Sequence, residues 1–359
     1  MPDPRRALIV TSMRDEGPFI LEWLAHHKAI GFTDFLVYSN DCADGTDAML
    51  DRLAEMGEIT HVPNPQKGRK TVQWQALSRA ASHPLMQQVD WIYTTDVDEF
   101  LTIKTGAGHL ADLFAARPEA TGFALAWRMF GDNGIARFRD EPVTEQFSRC
   151  APVGMVWPWR AVQFKCLYRN DGTYRKPGVH RPRDPRKGKE ARSVWVDGSG
   201  NPLPTKVPGG STLIPTFDDQ YKLAQINHYA LGSAENFLVK RMRGRPNHMH
   251  EPIDLAYWID RNFNAVEDTS IARTAPLSAP ILAELKADPV LAELHEKSVA
   301  WRQQQIRALL LDSDAFYLYA RVQQAGSTEV LPQATQRLLF RQLMQMRHEV
   351  MRAKAAETR

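Results

Sequence analysis

The strongest constraint in this chain is an alternation of hydrophobic period over its first hundred residues. Residues 7–12 form a short run rich in β-branched side chains and bounded by polar residues, the pattern of a buried strand. Gly17-Pro18 opens a helix, proline being suited to a first helical position. Phe19, Ile20, Trp23, Leu24 and His27 then recur at helical spacing up to Gly31. Phe35-Leu36-Val37-Tyr38 reads as a second strand, and Asp44-Gly45-Thr46 turns into a helix with Met49, Leu50, Leu53 and Met56 on its apolar face. Residues 58–62 make a third strand, closed by Pro63-Asn64-Pro65. Residues 70–82 read as helical, and Trp91-Ile92-Tyr93-Thr94-Thr95 as a fourth strand. A β-α-β-α-β-α-β order builds a mostly parallel sheet with helices on both faces, whose ligands sit beyond the carboxyl ends of the strands. Chemistry is therefore expected at the strand exits, residues 11–16, 39–44, 64–70 and 96–100.

Composition narrows the class. With 43% hydrophobic and 24% charged positions in 359 residues, the chain has enough apolar material to offset the entropy of ordering. A net charge of +3 argues against a dedicated nucleic-acid binder. Cys42, Cys150 and Cys166 are far apart and form no C-x-x-C, so neither a disulfide framework nor a cysteine zinc site is indicated. The apolar stretch near the start is only Ala7-Leu8-Ile9-Val10, too short for a signal-peptide core, and no run approaches a membrane span. A cytoplasmic protein is expected.

The exits carry no G-x-G-x-x-G and no G-x-x-x-x-G-K-[ST], so a dehydrogenase or P-loop NTPase is not indicated. They carry acid and amide at Asn40, Asp41 and Asp44, base at Lys67, Arg69 and Lys70, and finally Asp96-Val97-Asp98-Glu99. In an extended segment residues two apart project to one side, which would present Asp96 and Asp98 together. Like charges held close call for a cation. Oxygen ligands suit Mg²⁺ or Mn²⁺, ions that bridge protein carboxylates to substrate phosphates. An isolated D-x-D is more often a solvated acidic turn; its place at the fourth exit turns the reading toward a metal site.

Strand–Asp96-Val97-Asp98-Glu99-Phe100-Leu101, preceded by Ser39-Asn40-Asp41-Cys42-Ala43-Asp44-Gly45-Thr46, resembles a family 2 glycosyltransferase of GT-A fold. Met13-Arg14-Asp15-Glu16-Gly17-Pro18-Phe19-Ile20-Leu21-Glu22-Trp23, with His26, His27 and Gly31 after it, is similar to the branch with an N-terminal (R/K)NE…EW segment. The resemblance is good over about residues 5–105, weaker to about 245 and absent beyond. It implies a GT-A-type, mostly parallel α/β sheet flanked by helices over residues 1–250, to which the apolar pattern of residues 251–359 adds a helical C-terminal region. It also implies transfer of a sugar from a nucleoside-diphosphate sugar to a carbohydrate or lipid-linked acceptor, with Mn²⁺ or Mg²⁺ and inversion of configuration, in a role such as surface-polysaccharide synthesis. Residue by residue, Thr11, Ser12, Arg14 and Glu16 would contact the nucleotide. Asn40 and Asp41 would hold the base or ribose, although Ser39-Asn40-Asp41-Cys42 replaces the acidic pair of many relatives and leaves the base open. Lys67, Arg69 and Lys70 would lie near the diphosphate. Asp96 would contact the ribose or the metal, and Asp98 would bind the metal directly.

Later positions carry two readings each. His228, in Ile226-Asn227-His228-Tyr229, is either structural or the late metal ligand of GT-A relatives. Asp132, in Gly131-Asp132-Asn133-Gly134, either organises a turn or is the base that deprotonates the acceptor, with Glu99 a weaker candidate. From 165 to 192, ten Lys or Arg face three acids, Asp171, Asp184 and Glu190. With Pro177, Gly178, Pro182, Pro185 and Gly188 this reads as a loop: solvated surface, flap over the diphosphate, or docking patch for an anionic acceptor. His180 lies within it. Lys240, Arg241, Arg243 and Arg245 form a second basic cluster, and His248 and His250 lack a third ligand at metal spacing. Beyond 250 the pattern is helical. In the last helix Leu339, Leu343, Met346 and Val350 oppose Arg337, Arg341, His348 and Arg352, a face for packing on the catalytic domain or for peripheral contact with the inner face of a membrane. The competing functional classes are a nucleotidyltransferase and a non-catalytic nucleotide- or carbohydrate-binding relative.

Overall fold

The computed structural model describes residues 5–68, 70–204, 212–244 and 252–357. Strands β1 (Ala7–Met13), β2 (Asp34–Ser39), β3 (Thr60–Pro63) and β4 (Trp91–Thr94) alternate with helices α1 (Gly17–Ala29), α2 (Thr46–Glu55) and α3 (Val72–Ala80), as the hydrophobic periods require. The strands pair in parallel in the order β3-β2-β1-β4, with Ile9 of β1 set between Phe35 and Tyr93. Strand β1 is the hub: Ala7, Leu8 and Ile9 are fully buried.

Beyond β4 the sheet becomes mixed. Strands β5 (Glu99–Ile103) and β6 (Gly122–Met129), separated by α4 (Leu110–Ala116), are followed by the short α5 (Val143–Gln146) and β7 (Arg149–Cys150). Strand β8 (Phe164–Arg169) then enters antiparallel between β4 and β6. The first part of the basic segment is thus a buried strand, and only its continuation is exposed: a hairpin of β9 (Tyr174–Lys176) and β10 (Arg183–Pro185). Strands β11 (Trp195–Asp197) and β12 (Pro202–Leu203) extend one edge. Strand β13 (Ala224–His228) lies parallel to β6 and antiparallel to β5, a register that sets His228 beside Glu99.

The helical C-terminal region is present and shares its core with the sheet. After α6 (Ala234–Arg243), α7 (Leu255–Ile259) and β14 (Val266–Glu267) come α8 (Ala275–Ala287), α9 (Pro289–Leu311), α10 (Ser313–Ala325) and α11 (Gln333–Glu357). Pro289 occupies the first position of α9, and Asp288 caps the helix while pairing with Arg52 of α2 at 2.6 Å. Leu285 and Leu291 join the main core, and Ala315, Leu318 and Val322 pack with Phe237, Leu238 and Trp258. Helix α11 is held at its start, where Gln336 Oε1 accepts from the Val156 and Trp157 amides; Leu339 and Leu343 are half-buried, while Met346 and Val350 are exposed. Among the described residues, no helix is long and apolar enough to cross a membrane. The expected division at residue 250 lies outside the described residues, as do Arg69, Arg245, His248 and His250.

Helix α1 explains its two histidines. His26 Nε2 donates to the Leu101 carbonyl at 2.9 Å and His27 Nδ1 to that of Trp23 at 2.8 Å, so both rings serve as neutral donors inside the core. Burial pushes His26 down to about 4 and His27 well below its ordinary value. The unfolded chain therefore binds protons that the folded chain refuses as pH falls from about 6.5 toward 4. Stability present at neutral pH is lost over that window, about 2 kcal/mol at pH 5 from His26 alone. Urea unfolding at pH 7 and pH 5 should show this loss, and His26→Gln should make it shallower; an unchanged slope would remove His26 from the account.

Candidate active site at the strand exits

A cleft of about 800 Å³ opens at the carboxyl ends of β1, β2 and β4. Of the residues singled out in the sequence, Ser12, Arg14, Glu16, Asn40, Asp41, Asp96, Asp98 and His228 line it. Thr11, Lys67, Lys70 and Asp132 do not. Thr11 sits one residue short of the exit, packed in the sheet at 3% exposure. Lys67 is exposed, and Lys70 leans along α3 to Ser78 Oγ at 3.3 Å. Asp132 is buried as a turn residue: its Oδ1 accepts from the Gly134 amide at 3.0 Å and from Asn264 Nδ2 at 2.9 Å. The turn-organising reading is the one this geometry supports.

The first two exits are knitted to each other and to the C-terminal helices. Asp15 Oδ1 accepts from the Ala43 amide at 2.7 Å. Asp44 accepts from the amides of Thr46 and Gly17 and from Ser298 Oγ of α9. A Cβ at Gly17 would lie 2.0 Å from that hydroxyl, so only glycine admits α9 this close. Arg302 Nη2 donates to the Asp15 carbonyl at 2.6 Å. Glu16 pairs with Arg243, whose Nη1 also donates to the Arg14 carbonyl at 2.7 Å. Glu22, in the segment that resembles a family motif, caps α5 by accepting from the Val143 and Thr144 amides.

The Asp96-Val97-Asp98 segment is a tight turn rather than an extended run: the Glu99 amide donates to the Asp96 carbonyl at 3.1 Å. The two carboxylates consequently have separate cations. Asp96 Oδ2 lies 2.7 Å from Lys165 Nζ and its Oδ1 accepts from Gln73 Nε2 at 3.0 Å. Lys165, on β8 and without exposed surface, also reaches Glu99 Oε2 at 3.0 Å. Burial alone would strip Lys165 of its proton, but Asp96 and Glu99 hold its pKa above the ordinary lysine value. Burial pushes Glu99 upward, against the pull of Lys165. Asp98 Oδ2 lies 2.6 Å from Lys240 Nζ, which also donates to the Ala230 carbonyl at 2.6 Å. Burial disfavours the Asp98 charge, yet Lys240 and His228 hold its pKa well below the usual carboxylate range.

Ligand atoms of Asp98, Glu99 and His228 lie within 4.8 Å of one another; Asp96 is outside this group. Glu99 Oε1 and His228 Nδ1 are buried without a hydrogen-bond partner. Two carboxylates and an imidazole are donors that suit Mn²⁺ or Mg²⁺, so the residues fit a divalent cation by type. Beside them Trp127 lies between His228 and His180, its ring centroid 4.4 and 5.4 Å from theirs and tilted to both. His180 Nδ1 donates to the Phe164 carbonyl at 3.0 Å, and burial pushes this ring down to about 4.

Lys165, Gln73 and Trp127 are site residues to which motif reading gave no role, whereas Lys240 stood out as part of the second basic cluster. Of those three, Lys165 leaves a signal, a single cation inside the apolar run Phe164-Lys165-Cys166-Leu167-Tyr168. A charge in a buried-strand pattern demands a buried counter-charge.

Fold and site together define an α/β protein whose ligand cleft sits at the strand exits. The profile of glycosyltransferase family 92 matches residues 10–196, more than half of the chain, and the chain belongs to that family. The match names family 92, where the N-terminal motifs resemble family 2. A glycosyltransferase family 92 protein of Ricinus communis is 29% identical over 105 residues, 29% of this chain and 18% of the relative. One of Oryza sativa subsp. japonica is 22% identical over 144 residues, 39% of this chain and 24% of the relative. The alignments thus span about a quarter or less of those relatives. Among solved structures, S. aureus TarS 1–349 superposes with a TM-score of 0.31 at 10% identity, covering 79% of this chain and 72% of that one. Its complex with UDP gives 0.29 at 14%, covering 46% and 47%.

Removing the Lys165 charge leaves the buried Glu99 carboxylate, and the half-buried Asp96 beside it, without their cation. Lys165→Met should cost about 3–5 kcal/mol in urea unfolding. Adding Glu99→Gln to it should recover part of that loss; additive losses in the double variant would show that the pair is not coupled.

Proposed function

We propose that this chain transfers a sugar from a nucleoside-diphosphate sugar to a hydroxyl of a carbohydrate or lipid-linked acceptor, with a divalent cation held at Asp98 and His228. The observation that carries this reading is the convergence of the first two strand exits and the D-x-D turn on one cleft. Family membership favours sugar transfer over nucleotidyl transfer, and retention of both Asp96 and Asp98 argues against a purely binding role. In this reading Ser12, Arg14, Asn40 and Asp41 hold the nucleotide. Bound Mn²⁺ or Mg²⁺ would neutralise charge on the departing diphosphate. Lys165 and Gln73 keep the Asp96 carboxylate in place, and Lys240 does the same for Asp98.

The base must lie where an acceptor can reach it. Asp132 does not line the cleft, and Glu99 is fully buried against Lys165. We assign the role to His180. It lines the cleft, and its Nδ1–H bond to Phe164 leaves Nε2 as the acceptor nitrogen of a neutral ring. Inversion is the outcome implied by the family 2 resemblance, and a cytoplasmic setting in surface-glycan synthesis is its biological form.

A thermal-shift screen of nucleoside diphosphates and their sugars, with and without Mn²⁺, tests the class. At least one should stabilise the protein in a Mn²⁺-dependent way, and Asp98→Asn should abolish that dependence; an Asp98→Asn protein that keeps it would sink the assignment. His180→Gln should leave the nucleotide shift intact while lowering kcat about 100-fold.

A further inference from the structure

We propose that the β9–β10 hairpin and the cleft rim beside it form a docking surface for an anionic acceptor glycan, one bearing carboxylate or phosphate groups along its length. The proposal rests on the sugar-transfer reading and names its acceptor class. The hairpin pairs Arg183 with Lys176 and Pro185 with Tyr174, so its connecting turn spans residues 177–182. That turn dips into the site: Val179 and His180 line the cleft, and His180 is anchored to the Phe164 carbonyl of β8. One segment therefore has its tip at the reacting centre and its body on the surface.

The body is cationic. Arg175, Lys176, Arg183, Arg186, Lys187 and Lys189 are all exposed. Asp184 answers Arg175 at 3.3 Å and Lys176 at 3.4 Å. Among the described residues, no carboxylate is within ion-pair range of Arg186, Lys187 or Lys189. Charge continues into the cleft, where the guanidinium groups of Arg160 and Arg347 lie on the Trp159 ring at 4.4 and 4.3 Å. Both guanidinium groups add positive charge to the rim, of the planar kind that suits carboxylate or phosphate.

A compact donor seated at the first two strand exits has no use for cations outside the cleft, whereas a chain of repeating anions leaving the His180 tip would run along them. A lipid surface fits less well. Interfacial binding combines charge with apolar insertion, and the hairpin itself, residues 174–185, exposes no large apolar side chain; the exposed Met346 and Val350 belong to α11. Single exposed charges contribute little, but several facing a polyanion act together and are screened by salt.

The test measures binding of oligogalacturonate to the full chain by fluorescence anisotropy, with neutral maltoheptaose and phosphatidylglycerol vesicles as comparison probes. Oligogalacturonate should bind, weaken steeply with salt, and lose about tenfold or more in affinity in Arg186→Glu/Lys187→Glu/Lys189→Glu. That variant should keep the wild-type Tm and nucleotide shift, and the corresponding triple Gln variant should show an intermediate loss. Unchanged affinity in the charge-reversed variant, equal binding of maltoheptaose, or binding to vesicles without binding to oligogalacturonate would each overturn the proposal. The nucleotide shift is read separately: its absence in the wild type, with oligogalacturonate binding retained, would count against sugar transfer and leave the glycan surface standing.

Discussion

A lysine ammonium with no exposed surface survives folding only if anions surround it, and Lys165 has two of them. The cleft depends on this contact. Lys165 belongs to β8, the strand that turns a parallel sheet into a mixed one by entering between β4 and β6. From there it reaches the carboxylates at either side of the turn after β4. That single cation fixes the backbone of Asp96-Val97-Asp98-Glu99 as a tight turn and leaves Asp98 to Lys240 and His228. Isolated, the turn would carry three carboxylates and no reason to stay folded.

The C-terminal helices complete the same region rather than forming an appendage. Ser298 and Arg302 of α9 bond Asp44 and the Asp15 carbonyl, tying the first two strand exits together from outside the sheet. Arg347 of α11 reaches the cleft and stacks on Trp159. Residues near the end of the chain thereby share one surface with residues near its beginning.

Much of the site was legible because strand exits in a parallel sheet must converge. Once residues 7–95 are read as alternating strands and helices, Ser12, Arg14, Glu16, Asn40, Asp41, Asp96 and Asp98 are placed at one edge without further information. Lys67 and Lys70 share that edge by position and fail by direction, for a loop after β3 has no periodicity to say which way a side chain turns. Asp132 shows the limit of motif reading. Asp and Gly in a turn satisfy the turn's own amides first, and only the Asn264 contact from a distant loop reveals that Oδ1 of this carboxylate is held on both sides. His180 was seen but could not be assigned, since a residue in a basic, proline-rich segment has no local pattern that points it inward.

The sequence by itself determined the α/β order, the sheet edge at which the cleft opens and the cationic bias of residues 165–192. These follow from hydrophobic period and composition, which are local properties. Only the tertiary structure decided which cation meets which carboxylate: Lys165 with Asp96 and Glu99, Lys240 with Asp98, Arg243 with Glu16. Such partners lie far apart in the chain, and their meeting is set by strand register. Pairing β13 with β5 and β6 puts His228 beside Glu99, and inserting β8 puts Lys165 beneath the turn. A shift of one residue in either register would turn those side chains to the opposite face of the sheet.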